Sequence, residues 1–227
     1  VLAEAAGAAH PVGDSEHGGR RDFRDLPIVT IDGETSRDYD DAVYVKRLEN
    51  GNWQLQVHIA DVSHYVRRGS ALDREARLRG TSVYFPNRAV PMLPEELSNG
   101  ICSLNPREDR LVLSAIVDLD ANGEIVASEF TRGVIRSAER MTYTAVNAVL
   151  QNDAVAIEHF AYLAGEFRAM RDLAMILTAR RARLGSIDFD LPEQVIEFDA
   201  AGQMTGIGRS ERNIAHRLIE EFMLTAN

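Results

Sequence analysis

Apolar and polar positions along this chain follow a strand-type rhythm first and a helix-type rhythm later. Residues 2–9 are Ala-rich and predict a short helix. Residues 10–26, with Pro11, Gly13, Gly18, Gly19 and mixed charges, read as a linker or surface strap. From Pro27 short apolar runs take over: Ile28-Val29-Thr30-Ile31, Ala42-Val43-Tyr44-Val45, and a partly alternating stretch over 53–59. Glu49-Asn50-Gly51-Asn52 carries the Asn-Gly hairpin signal between the second and third of these. Asp120-Ala121-Asn122-Gly123 predicts another hairpin, joining 111–119 to 124–135. Ser70 is placed to cap a helix over 70–79. Residues 81–106 read as irregular, because Pro86, Pro91, Pro94 and Pro106 interrupt them.

Thr142 is a good N-cap, and helical spacing follows it. Ile157, Phe160, Leu163, Phe167, Met170, Leu173 and Leu177 predict one long amphipathic helix, stopped by Gly185. Short strands are expected at 186–189, 193–199 and 203–208. Ser210 then opens a last helix with Ile214, Leu218 and Phe222 inward. The fold class is therefore α+β: a twisted, mostly antiparallel sheet with packed helices. Residues 1–26 form a helix and linker, and 27–227 the main body. The apolar stripe of the last helix still runs at Asn227 with no stop signal, which reads as truncation of a longer protein.

Composition narrows the function. A 45% hydrophobic and 26% charged chain of 227 residues belongs to a folded protein. A net charge of −10 excludes a generally basic nucleic-acid-binding surface, so a polyanionic ligand needs a local basic lining. The single cysteine, Cys102, excludes an internal disulfide framework and a Cys-rich zinc site and reads as a packing residue. No signal peptide or membrane-length apolar run is visible, so the expected setting is cytoplasmic with no membrane partner.

Candidate chemistry concentrates between two apolar runs. Asp32-Gly33-Glu34-Thr35-Ser36-Arg37-Asp38-Tyr39-Asp40-Asp41 holds five acidic side chains in ten residues. Carboxylates held together repel, and divalent cations relieve the repulsion; oxygen-only ligands favour Mg²⁺ or Mn²⁺ over zinc. Such a site suits phosphoryl chemistry. A solvated acidic turn is the bland alternative. A calcium loop fails, since its glycine and terminal glutamate positions hold Arg37 and Val43. An aspartyl-phosphate phosphatase centred on Asp32 is a further alternative, but Glu34 is a poor stand-in for its second acid. His58 and His64 lack carboxylate–His spacing and read as structural. Arg107, Arg110, Arg132, Arg136 and Arg140 could line a path for phosphates, with Arg132 and Arg136 on one strand face.

Residues 30–43 resemble the signature of the ribonuclease II / ribonuclease R (RNB) family. The likeness continues through His58-Ile59-Ala60-Asp61-Val62-Ser63, Arg79-Gly80-Thr81-Ser82-Val83-Tyr84-Phe85-Pro86, Pro91-Met92-Leu93-Pro94, Leu97-Ser98-Asn99-Gly100, Cys102-Ser103-Leu104-Asn105-Pro106 and Ala215-His216-Arg217-Leu218-Ile219-Glu220-Glu221. Its wording is closer to ribonuclease R. The resemblance implies a Mg²⁺-dependent, hydrolytic, processive 3′→5′ exoribonuclease that releases nucleoside 5′-monophosphates from single-stranded RNA. It makes 27–227 the N-terminal major part of an RNB-type catalytic domain. The family's aspartates fall on Asp32, Asp38, Asp40 and Asp41: Asp32 and Asp41 as direct metal ligands, Asp38 helping through the metal shell, Asp40 least dispensable to the chemistry. Tyr84, Tyr143 and Phe189 match RNA-stacking positions, and Glu221 a glutamate near the terminal nucleotide. Relatives add cold-shock modules before this region and an S1 module after it. The rival of a different class is a non-catalytic RNA-binding or scaffold protein that keeps the fold.

Overall fold

The computed structural model describes residues 1–85, 88–187, 194–199, 203–209 and 212–227. In chain order these form α1 (Leu2–Ala8), a 3-10 turn (Asp14–Glu16), β1 (Arg21–Asp22), β2 (Val29–Asp32), β3 (Asp41–Arg47), β4 (Trp53–Ala60), α2 (Val62–Tyr65) and α3 (Ala71–Arg79). A small ribbon follows, β5 (Val83–Phe85) with β6 (Arg88–Val90), then a π-helical segment (Glu96–Ile101). The long strands β7 (Asp109–Leu119) and β8 (Ile125–Arg136) come next, then β9 (Glu139–Thr142), α4 (Tyr143–Leu150), α5 (Ala154–His159) and α6 (Ala164–Arg183). A second ribbon, β10 (Gln194–Phe198) with β11 (Met204–Arg209), precedes α7 (Ile214–Ala226). Among the described residues no helix is long and apolar enough to cross a membrane.

The large sheet has the order β1-β8-β7-β4-β3-β2-β9. Its four central pairings are antiparallel, while β1 on β8 and β9 on β2 are parallel. This is the expected α+β architecture. Both hairpins form where expected, and Gly51 (φ 84°) and Gly123 (φ 82°) take the left-handed conformation their turns demand. Ser70 caps α3 by accepting from Asp73 N–H at 3.1 Å, and Thr142 caps α4 by accepting from Ala145 N–H at 3.2 Å.

Side-chain alternation divides the core between two faces. Val43, Val45, Leu55, Val57, Val117 and Leu119 pack with α4, α6 and α7 on one face. Ala42, Tyr44, Val112, Ile116 and Ile135 gather on the other with Phe23 and Tyr39. A third cluster joins α1, α3 and the π-helical segment around Leu72, Leu97 and Leu111. Leu111 shares its strand parity with Val117 and Leu119, so this cluster covers the α6–α7 face further along. Between the two helical covers, Ile59 and Leu113 remain 41% and 43% exposed.

Four expectations need amendment. The strap over 10–26 is tied in: β1 adds an edge strand, and Phe23 is buried beside Gly133. The stretch 81–106 contains β5, β6 and the π-helical segment, with Pro91 and Pro94 between these elements rather than breaking them. The long helix is split into α5 and α6, because residues 160–163 turn while Phe160 and Leu163 keep facing the core. Apolar spacing reports which side chains face inward, and a turn that preserves the facing leaves the spacing intact. Finally, α7 starts later than expected, capped by Asn213, whose Oδ1 accepts from Ala215 N–H at 3.0 Å. Ser210 lies outside the described residues, as does the second half of the strand expected at 186–189; Ser186 and Ile187 are in no regular element.

Candidate active site

The acidic loop leaves the sheet at Asp32, the last residue of β2, and rejoins it at Asp41, the first of β3. Asp32 is in register with Thr142 on β9, and Asp41 with Ile59 on β4. Both carboxylates at the loop ends therefore inherit their positions from strand pairing.

Between them Tyr39 is the anchor. It is 6% exposed. Its N–H donates to Ser103 Oγ at 3.0 Å, its carbonyl accepts from Leu104 N–H at 2.8 Å, and its hydroxyl donates to the Ser36 carbonyl at 2.9 Å. The Asp40 carbonyl accepts from Ala60 N–H at 2.9 Å. Arg140 reaches across from β9, its guanidinium 4.8 Å from the Tyr39 ring centroid. Its Nη2 donates to the Glu34 and Ser36 carbonyls, each at 3.2 Å. The loop's backbone is thus held by neutral partners and one cation.

The electrostatics follow from that confinement. Burial, then the charge of Asp41, pushes Asp32 up to about 7; Arg140 opposes, and Asp40 and Asp38 add to the rise. Burial and the charge of Asp40 push Asp41 up to about 6. Asp40 is exposed as a whole residue, yet protein atoms crowding its carboxyl, followed by Asp38, raise it as well. Asp32 Oδ2 is buried and has no hydrogen-bond partner. An oxygen-only donor set, raised carboxyls and an unsatisfied buried oxygen fit a hard divalent cation. Among the described residues no three His, Cys, Asp or Glu side chains stand as a ready-made ligand cluster.

Glu34 belongs elsewhere. A hydrogen bond from the Thr144 side chain on α4 lowers it, with burial opposing. The second acid that an aspartyl-phosphate reading requires is thereby engaged away from Asp32.

Tyr84 lies on β5 with 66% of its surface exposed, and its hydroxyl donates to Asp38 Oδ2 at 2.7 Å. That bond pushes the phenol up to about 12. Tyr143, the first residue of α4, is half-buried with its ring stacked on His216 of α7, centroids 3.9 Å apart. Phe189 lies outside the described residues. Glu221 is 4% exposed and faces α6, accepting from Thr178 Oγ1 at 3.1 Å and pairing with Arg181 at 3.1 Å. In this arrangement its carboxylate is occupied within the α6–α7 interface. Its neighbour Glu220 is exposed and pairs with Arg212.

The arginines divide. Arg110 is buried and donates to the Ser103 carbonyl at 2.7 Å, Arg136 pairs with Asp109 at 2.7 Å, and Arg107 pairs with Glu139 at 3.5 Å. Arg140 clamps the acidic loop. Arg132 projects from β8 and is exposed. His58 is fully buried, bonded to Ser114 Oγ at 2.8 Å, and burial lowers it to about 3. His64 bonds Glu16 at 2.8 Å, and Cys102 is buried. Sequence reasoning missed the holding roles of Tyr39, Ser103 and Arg140. A signal existed for Tyr39, a lone aromatic inside an acidic run; none existed for Ser103.

The family model described as the RNB domain matches residues 20–227. Ribonuclease R 1 of Lactococcus lactis subsp. lactis is 48% identical over 227 residues, covering 100% of this chain and 28% of the relative. Ribonuclease R of Escherichia coli K12 is 46% identical with the same coverage, 100% and 28%. The fold matches Mycoplasma genitalium RNase R in complex with ribose methylated single-stranded RNA, with a TM-score of 0.90 and 33% identity over 100% of this chain and 36% of that one. The chain thus spans about 28% of the length of these curated relatives.

Proposed function

Because this chain belongs to the RNB domain family, we propose that it is the aspartate-bearing part of a hydrolytic 3′→5′ exoribonuclease that acts on single-stranded RNA and needs Mg²⁺. The observation that carries the reading is the confinement of Asp32, Asp38, Asp40 and Asp41 on one loop, with Asp32 and Asp41 raised and one buried oxygen of Asp32 unsatisfied. Asp32 and Asp41 would hold a divalent cation and Asp38 would assist; Mn²⁺ suits the same oxygen donors. The chemistry the cation supplies when bound is neutralisation of phosphate charge and activation of water.

This chain's own residues do the rest. Strand pairing at Asp32 and Asp41, with Tyr39 and Arg140 between, fixes the backbone from which the carboxylates project, so side-chain rotation is what remains to bring them onto a cation. Asp40, adjacent to Asp41 and without a structural bond to its carboxylate among the described residues, is left for the reacting water and scissile phosphate. Tyr84 offers an exposed ring on which a base can stack regardless of its identity, and Tyr143 offers a second aromatic surface backed by His216. The likeness to RNase R in complex with RNA supports RNA as the partner.

Asp40→Asn is the test, in the full-length parent protein on 3′-extended single-stranded RNA with Mg²⁺. Release of mononucleotides is expected to fall on the order of a hundredfold or more, as for loss of a group acting on the reacting water, with RNA affinity retained. Undiminished hydrolysis would remove the assignment.

A further inference from the structure

The sheet joins the acidic loop to a cluster of arginines. Asp41 on β3 is paired with Ile59 on β4, Ile59 with Leu113 on β7, and Leu113 with Arg132 on β8. Residues directly paired across neighbouring strands project from the same face. Asp41, Ile59, Leu113 and Arg132 therefore form one row across four strands, about 14 Å from end to end at roughly 4.8 Å per strand. The row runs through the gap between the two helical covers, which is why its middle is an exposed apolar shelf. A cavity of about 470 Å³ lies over that shelf, floored by Ile59 and Leu113 and bounded by Phe130, which is 72% exposed, and by Met223 of α7.

At the far end a second cavity of about 220 Å³ is lined by Arg20, Arg67, Arg132, His64, Asp61 and Ser63. Its one carboxylate is already engaged: Asp61 accepts from Arg20 Nη2 at 2.7 Å and from Ser63 Oγ at 2.7 Å. The Arg20–Asp61 pair is buried, with side chains 5% and 1% exposed, so it forms a fixed wall. The guanidinium groups of Arg67 and Arg132 make no hydrogen bond or ion pair among the described residues. The charge of Arg132 acts on Asp61 from a distance, so three arginines share one carboxylate here, and in a chain of net charge −10 that local excess of positive charge around one small polar cavity marks an anion site.

We propose that Arg67 and Arg132, backed by the Arg20–Asp61 pair, hold an internal phosphate of the RNA strand whose end lies at the aspartates, with the intervening nucleotides crossing the Ile59–Leu113 shelf. The inference rests on the function proposed above. Charge selects the occupant: a phosphodiester strand presents apolar base faces to the shelf and an anion to the arginines, whereas an apolar protein segment would leave both cations uncompensated.

The experiment measures RNA binding by anisotropy, with Mg²⁺, in the Asp40→Asn chain so that RNA stays intact. It compares an oligouridylate of about 12 nucleotides with one of about 3, because only the longer spans the shelf. Adding Arg67→Ala and Arg132→Ala is expected to weaken the longer RNA on the order of tenfold and to reduce the slope of log K against log salt by about 0.7 to 1.4, about 0.7 per lost phosphate contact. The shorter RNA should be unaffected, and the charge-matched pair Arg77→Ala and Arg79→Ala should change neither. Unchanged affinity for the longer RNA overturns this inference and leaves the aspartate site standing. Equal weakening of both lengths also overturns it. If the double substitution abolishes binding of inorganic phosphate yet leaves RNA unaltered, the cavity serves a free anion and the proposal falls. If the Asp40→Asn chain binds neither RNA and the parent hydrolyses none, the proposed function itself fails.

Discussion

At the scale of single residues, Asp32 is the carboxyl whose ionisation the fold resists most visibly. Its carboxyl is raised to about 7 and that of Asp41 to about 6, against an ordinary value of 3.8. A carboxyl with a raised folded pKa favours the protonated native state, so its contribution to stability is fully present below about pH 4 and is lost as pH rises to about 7 for Asp32 and about 6 for Asp41. His58 acts in the opposite sense: it is lowered from 6.5 to about 3, so its contribution is present above 6.5 and lost as pH falls. Comparing the native chain with Asp32→Asn cancels the histidine. In chelator the native chain should melt a few degrees lower than Asp32→Asn at pH 8 and by a clearly smaller margin at pH 5, where only part of the penalty has built up, and Mg²⁺ should recover the deficit at pH 8. A melting difference that is the same at both pH values would contradict the assignment. The acidic residues were legible in sequence because charge density needs no fold to be seen. Ser103 was not, because its bond to Tyr39 N–H spans 64 positions.

At the scale of elements, β1 and Phe23 show how a loop-like sequence becomes part of a sheet. Phe23 packs on Gly133 of β8, and a Cβ at Gly133 would meet the Phe23 ring at 2.6 Å. Gly133→Ala should displace Phe23 and strip β1 from the edge, costing about 1–3 kcal/mol by overpacking. Urea unfolding would read this directly, and a variant of native midpoint would show that Phe23 has room to move. Nothing local announced this strand: Arg21-Asp22 is polar, and its partner lies on β8. The hairpins were legible because Asn-Gly and Asn122-Gly123 dictate their own geometry. Where α5 gives way to α6, Leu163 stays buried on both readings, so spacing alone could not separate them.

At the scale of the molecule, the N-terminal helix works as a cover rather than an appendage. Ala5 is fully buried against the cluster of Leu72, Leu97 and Ile101, and the Glu4 carboxylate accepts from Ala71 and Leu72 N–H at 3.2 and 2.9 Å at the start of α3. Deleting residues 1–12 should expose that cluster, lower the melting temperature by several degrees and raise binding of a hydrophobic dye. A deletion that melts like the full chain would show α1 to be dispensable. The α+β class was legible from the order of rhythms, but the division of one sheet face between two helical covers was not, since it depends on which helices return to which end. Stranger still is how far the carboxylate's aim depends on a turn remote from it. β3 and β4 pair at seven positions, from Asp41 with Ile59 down to Arg47 with Trp53, and Asn50-Gly51 closes that ladder. Slippage by a single residue there would invert each β3 side chain, sending Asp41 to the Phe23 side and turning Ala42 toward the groove. The aim of Asp41 is thus encoded in a tight bend at the opposite end of a seven-pair ladder.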